Sequence, residues 1–195
     1  MKKAIVFLAE GFEEVEAISP IDYLRRAEVD VTLCAVGKDG KITGAHGSPI
    51  LCDVTQGDLI GFDFDAVILP GGMPGAANLA QSEVVKKALS AAASGDKIIA
   101  AICAAPIVVL MNEGLLKGKK FTCYPGMETM GEKFCGPNWA EKNFGANHCK
   151  DRVVCDKNLI TACGPGAAEE FSLKIVETLC GKEKMAVVAF DAVMR

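Results

Sequence analysis

Lys97 to Glu113 reads KIIAAICAAPIVVLMNE, and it decides the kind of fold. Ile98 to Cys103 carries no charge and no alternation of apolar with polar side chains. A strand covered on both faces has this composition, as in parallel sheets. Ala104, Ala105 and Pro106 follow, then an apolar run that ends at Glu113 and Gly114. Proline suits the first turn of a helix, where its missing N–H leaves no bond unmade. Cys103 therefore stands at a strand-to-helix join, beside unpaired backbone N–H groups and the positive end of a helix dipole. That setting favours the thiolate. Two readings stay open from this stretch alone: a reactive nucleophile on an elbow, or an inert core cysteine.

Working outward, the same pattern repeats. Lys3 to Ala9, Val29 to Val36 and Asp65 to Pro70 read as further buried strands. Glu14 to Ala27 places Val15, Ile18, Ile21 and Leu24 three apart, with Arg25 and Arg26 near its end, as an amphipathic helix does. Ser19-Pro20 is expected to kink that helix or delay its start. Gly37-Lys38-Asp39-Gly40 is a turn, and Ile42–Gly44 with Ile50–Val54 makes a local hairpin. Ser82 to Ser94 is a helix with Val84, Val85, Leu89 and Ala92 inward. Lys120 to Tyr124 is a strand stopped by Pro125, and residues 126–147 hold a short helix and a loop. Arg152–Cys155 and Leu159–Cys163 pair around a turn. A helix from Gly164-Pro165-Gly166 to about Cys180 and a shorter one over Lys182–Ala189 follow.

Alternating strands and helices, with no linker or repeat, predict one α/β domain over residues 1–195. Its architecture is a doubly wound, mostly parallel sheet with helices on both faces. Ligands bind such sheets beyond the carboxyl ends of the strands. The loop after Ala9, the loop after Pro70 and Cys103 all fall there.

Composition narrows the function. Half of the 195 residues are apolar and the net charge is −4, which suits a core-forming chain and argues against nucleic-acid and anionic-membrane partners. No apolar run reaches the roughly 18 residues of a membrane span. The N-terminal run Ala4–Ala9 is too short for a signal segment, so a cytoplasmic location is expected. Nine cysteines without a C-x-x-C pair, and only His46 and His148 as imidazoles, argue against a zinc site or a disulfide framework. No metal or cofactor is expected. Phosphate-binding, dinucleotide-binding and G-x-S-x-G motifs are missing from the sequence. Gly71-Gly72-Met73-Pro74-Gly75 is either a tight turn or a set of backbone N–H groups open to an anion.

FLAEGFEEVEAISPIDYLRRA, VILPGGMPGAANL, IIAAICAAP and GPGAAEEFSLKIVETLCGKEKM stand in that order along the chain. With these blocks it resembles the DJ-one/ThiJ/PfpI superfamily, in its DJ-one/ThiJ branch. The resemblance implies a flavodoxin-like sandwich and a homodimer, the latter helped by the apolar Val15, Ile18 and Ile21. It implies that Cys103 is the reactive cysteine and that Glu16 is the buried acid touching it. Gly72 and Ala104 are implied to form an oxyanion-type pocket with their backbone N–H groups. The activities it implies are glutathione-independent conversion of methylglyoxal or glyoxal to 2-hydroxy acids, or deglycation of modified proteins and thiols. A non-catalytic redox sensor or chaperone working through oxidation of Cys103 is the alternative.

One departure from the family pattern stands out. A histidine near the cysteine is common among its members, and here the corresponding positions are Ala104 and Tyr124. A phenol donates a hydrogen bond but is a poor base at neutral pH. Tyr124 is therefore an auxiliary donor at most, and a protease activity is not expected. His46 and His148 are expected at the surface.

Overall fold

The computed structural model describes residues 1–194. Its strands are β1 (Lys3–Leu8), β2 (Asp30–Ala35), β3 (Lys41–Thr43), β4 (Pro49–Leu51), β5 (Val54–Thr55), β6 (Ala66–Leu69), β7 (Ile98–Ile102), β8 (Lys120–Phe121), β9 (Asn147–His148), β10 (Val153–Asp156) and β11 (Leu159–Ala162). The helices are α1 (Glu14–Arg26), α2 (Gly75–Gln81), α3 (Glu83–Ser94), α4 (Gly131–Cys135), α5 (Trp139–Lys142), α6 (Ala168–Cys180) and α7 (Lys182–Asp191).

Seven strands form one sheet in the order β10-β11-β7-β6-β1-β2-β5, parallel except for the β10–β11 pair. Alternate residues of β1 explain its unbroken apolar run. Ala4, Val6 and Leu8 join the core under α1 and α6, whereas Ile5 and Phe7 join the core under α2 and α3. Burial on both faces leaves no position for a polar side chain. The fold is flavodoxin-like α/β. Strand order reverses between β1 and β6, because the chain runs from β1 to β2 on one side and from β6 to β7 on the other. The crevice at that switch point is where such sheets bind ligands.

Several local expectations are corrected. α1 runs through Pro20 without a break, with Pro20 buried against the core. Ser82 is the cap of α3 and not its first residue, its hydroxyl accepting from Val85 N at 3.3 Å. Ala88 takes the buried position expected for Val84, which is half-buried. The segment after Cys103 winds as a wide π-type helix over Pro106–Met111. The Lys120–Tyr124 strand is cut to β8, which pairs with β9 in a separate parallel ribbon. Its backbone donors go elsewhere: Thr122 N to Thr161 Oγ1 at 2.9 Å, and Tyr124 N to Cys103 O at 2.8 Å. α2 was not foreseen, and residues 126–147 hold α4 and α5 where one short helix was expected. Ile21 belongs to the core, so only Val15 and Ile18, 48% and 47% exposed, remain on the open side of α1.

Candidate active site

Three loops at the carboxyl ends of β1, β6 and β7 meet at the switch point. Backbone hydrogen bonds stitch the first two together, Glu13 N to Gly71 O and Gly75 N to Gly11 O, both at 3.1 Å. The contact is too close for side chains. A Cβ on Gly72, whose φ is +84°, would lie 2.4 Å from Glu13 N. A Cβ on Gly71 would lie 2.7 Å from both Cys103 Cβ and Glu16 Oε2. Only glycine lets the β6 loop lie this close against both the acid and the thiol.

Cys103 leaves the end of β7 at φ +64°, a left-handed backbone that costs on the order of 1–3 kcal/mol for a non-glycine residue. The surroundings over-determine it, since its N–H donates to Ala162 O at 2.9 Å and its carbonyl accepts from Tyr124 N at 2.8 Å. The side chain is thereby turned off the strand toward Glu16. Glu16, in the first turn of α1, is fully buried. Its Oε2 accepts from Gly71 N at 2.8 Å. The Cys103 thiol interacts with the same carboxyl. That contact is looser than a regular hydrogen bond, because Oε1 is buried with no hydrogen-bond partner among the described residues.

The charges of this pair follow from its environment. Burial pushes the Glu16 carboxyl up to about 7, against the opposing pull of Cys103 and Gly71. Burial also pushes the Cys103 thiol up, and the charge of Glu16 adds to it. The expectation that the helix terminus alone would favour the thiolate is thus corrected. The Gly72 and Ala104 N–H groups do reach the sulfur and favour its anion, but they do not outweigh burial. Two buried acids in contact hold one negative charge more readily than two. Burial holds the thiol up further than the carboxyl, so that charge rests on Glu16; passing the Cys103 proton to Glu16 during attack puts it on the sulfur, which then faces three donors: Glu16, Gly72 and Ala104.

In front of the thiol lies a cavity of about 540 Å³, walled by Gly72, Met73, Ala104, Tyr124, Pro125, Met127, Met130, Lys133 and Phe134. Tyr124 and Lys133 are its polar side chains. The structure therefore brings together Cys103, Glu16, Gly72, Ala104 and Tyr124. It leaves His148 elsewhere, half-buried against Phe121, which corrects the surface position expected for it. His46 is exposed as expected, but its ring Nδ1 lies 2.9 Å from Glu14 Oε2. Glu14 also accepts from His46 N and Ser48 N, and so clasps the β3–β4 hairpin. Gly71 was missed as a site residue. Its signal was its place as the first of two adjacent glycines after a strand, within the run read as open to an anion, but the resemblance assigned a role to Gly72 alone.

The fold is shared with known proteins. The family model described as DJ-1/PfpI family matches residues 2–178, and the chain belongs to that family. Protein dj-1beta of Drosophila melanogaster is 40% identical over 189 residues, covering 96% of this chain and 95% of that protein. The glutathione-independent glyoxalase DJR-1.2 of Caenorhabditis elegans is 37% identical over 184 residues, covering 94% of this chain and 91% of that protein. The chain spans less than half of two Arabidopsis thaliana relatives, DJ-1 homologs A and B, at 43% and 38% of their lengths. Among solved structures, oxidized Toxoplasma gondii DJ-1 superposes with a TM-score of 0.88 at 32% identity, over 99% of this chain and 98% of that one. No helix among the described residues is long and apolar enough to cross a membrane.

Proposed function

We propose that this protein converts small 2-oxoaldehydes such as methylglyoxal to 2-hydroxy acids, with Cys103 as nucleophile and no glutathione. The observation that carries this reading is the contact of a half-buried thiol with a buried carboxyl near neutrality, under two backbone N–H groups. The relative named as a glutathione-independent glyoxalase supports it.

The reaction needs no external oxidant. The Cys103 thiolate adds to the aldehyde carbon, and the resulting oxyanion is held by the Gly72 and Ala104 N–H groups and takes the Glu16 proton. The Glu16 carboxylate then removes the hydrogen of that carbon and returns it to the neighbouring carbon, through an enediol. The first carbon is oxidised and the second reduced by the same two electrons. A thioester results, and water cleaves it to the hydroxy acid and the free thiol. Tyr124 serves as an auxiliary donor to the substrate carbonyl. In deglycation the Cys103 sulfur would displace the amine or thiol from the carbinol carbon of its adduct, Glu16 protonating that leaving group, and the same hemithioacetal results.

A redox sensor is the second reading, favoured by the donors that surround the sulfur, since they suit a sulfinate as well as a thiolate. Incubation of wild type, Cys103→Ser and Glu16→Gln with methylglyoxal, followed by assay of the hydroxy acid, tests the first reading. Turnover is expected from wild type alone. No product from wild type, with clean sulfinate formation at Cys103 under mild peroxide, would leave the sensor. Equal turnover by Cys103→Ser would refute the mechanism.

Assembly with a second copy of the chain is part of the proposal. Val15 and Ile18 are exposed apolar side chains one helical turn apart on α1.

A further inference from the structure

Away from Cys103, three chemically different ligand groups converge. Cys123 Sγ, a carboxylate oxygen of Glu128 and a ring nitrogen of His148 all lie within 4.8 Å of one another. They come from separate pieces of local structure, and backbone pairing is what assembles them. Phe121 of β8 stands opposite His148 of β9 in parallel register. Their rings meet at 5.5 Å, tilted by 53°, which fixes the imidazole. Cys123 follows two residues after Phe121. The single 3-10 turn Met127–Thr129 then brings Glu128 back, so that its Oε2 lies 4.0 Å from the Cys123 sulfur. The Glu128 backbone N–H is also directed at that sulfur.

We propose that Cys123, Glu128 and His148 bind a single Zn²⁺ ion, with its fourth position open to the adjoining cavity. Sulfur, nitrogen and oxygen ligands in one set suit zinc, whereas Mg²⁺ and Ca²⁺ require oxygens and Cu(I) prefers softer partners than a carboxylate. Bond lengths of about 2.0–2.3 Å place tetrahedral ligands roughly 3.3–3.7 Å apart. Closing the present set to that size takes a shift of about an ångström, which the Glu128 side chain can supply. The neighbouring cavity, about 340 Å³, is lined by Glu128, His148 and Asn143. Asn143 Oδ1 is buried with no hydrogen-bond partner among the described residues, an acceptor of the kind a metal-bound water uses.

A second nucleophilic triad fits these residues less well. Such a relay sets the thiol on the imidazole and the imidazole on the carboxylate. Here the carboxylate lies against the thiol, and Cys123 is 1% exposed. The absence of C-x-x-C spacing does not bear on this site, because its ligands come from three segments 5 to 25 residues apart in sequence. An ion there would fix both ends of the Tyr124–Met127 segment, which walls the Cys103 cavity.

The test is a Co²⁺ titration of the full chain carrying Cys103→Ser, which removes the thiol of the candidate active site. One equivalent is expected to bind, with the near-ultraviolet sulfur-to-metal band and intense visible bands of a tetrahedral thiolate site. Zn²⁺ should displace it and Mg²⁺ should not. Added Cys123→Ser should abolish the sulfur band. Glu128→Gln and His148→Gln should each weaken Zn²⁺ binding about tenfold or more, while Cys149→Ser and His46→Gln leave it unchanged. The two partly exposed positions keep the test decisive if the buried serine variant fails to fold. Absence of the sulfur band, its persistence in Cys123→Ser, or undiminished Zn²⁺ affinity in both glutamine variants would overturn the proposal.

Discussion

Replacing Glu16 by glutamine removes the one buried carboxyl of the site while keeping its shape and its bond from Gly71 N. The consequence for stability has a definite sign. Burial lifts the Glu16 carboxyl from 4.5 to about 7 in the folded protein, so between those pH values the native state holds a proton that the unfolded chain has lost. Stability from this group is fully present below about pH 4.5 and is lost as pH rises through about 7. At about 1.4 kcal/mol per pH unit the loss amounts to about 3 kcal/mol, an order-of-magnitude figure. Glutamine does not titrate, so the wild type should lose about 3 kcal/mol relative to Glu16→Gln between pH 4.5 and 8. Urea unfolding of both proteins under reducing conditions, at half-unit pH intervals, measures the difference and cancels the other titrating groups. The fall should flatten above about pH 7. A stability difference that stays constant over this range would refute the buried, protonated carboxyl and the proton transfer built on it.

The other predictions concern the frame of the site. Gly71→Ala puts a methyl 2.7 Å from Cys103 Cβ and Glu16 Oε2, and should cost about 1–3 kcal/mol of stability and most of the turnover, read by urea midpoint and steady-state assay. Glu14→Ala releases the β3–β4 hairpin, and hydrogen exchange at the His46 and Ser48 amides should accelerate relative to wild type. Burial opposes ionisation of Glu14, but the bonds from the His46 ring and the Ser48 and His46 amides bring it down to about 2. The clasp should therefore hold above about pH 4.5 and weaken as pH falls toward 2. Sedimentation at micromolar concentration should give a dimer that Val15→Lys with Ile18→Lys converts to monomer, and a wild-type monomer would dismiss the assembly.

The sheet was legible because β1, β6 and β7 are buried on both faces, so their runs of Ile, Val, Leu and Ala admit no polar residue. The alternation with helices, the elbow at Cys103 and the strand-end position of the three loops follow from local pattern alone. Glu16 and Gly72 could be attached to Cys103 only through resemblance, since nothing in their spacing measures a contact across the sheet. Tertiary structure decided the rest. The thiol does not simply gain from its helix terminus, because burial and Glu16 act on it more strongly than two N–H groups. Gly71 matters because the β6 loop packs directly against both the acid and Cys103, a closeness with no local trace. β8 stops at Phe121 because the amides that follow, of Thr122 and Tyr124, are taken by Thr161 and Cys103. Local periodicity determines which face a residue takes, whereas packing between distant segments determines what that residue touches and what charge it holds.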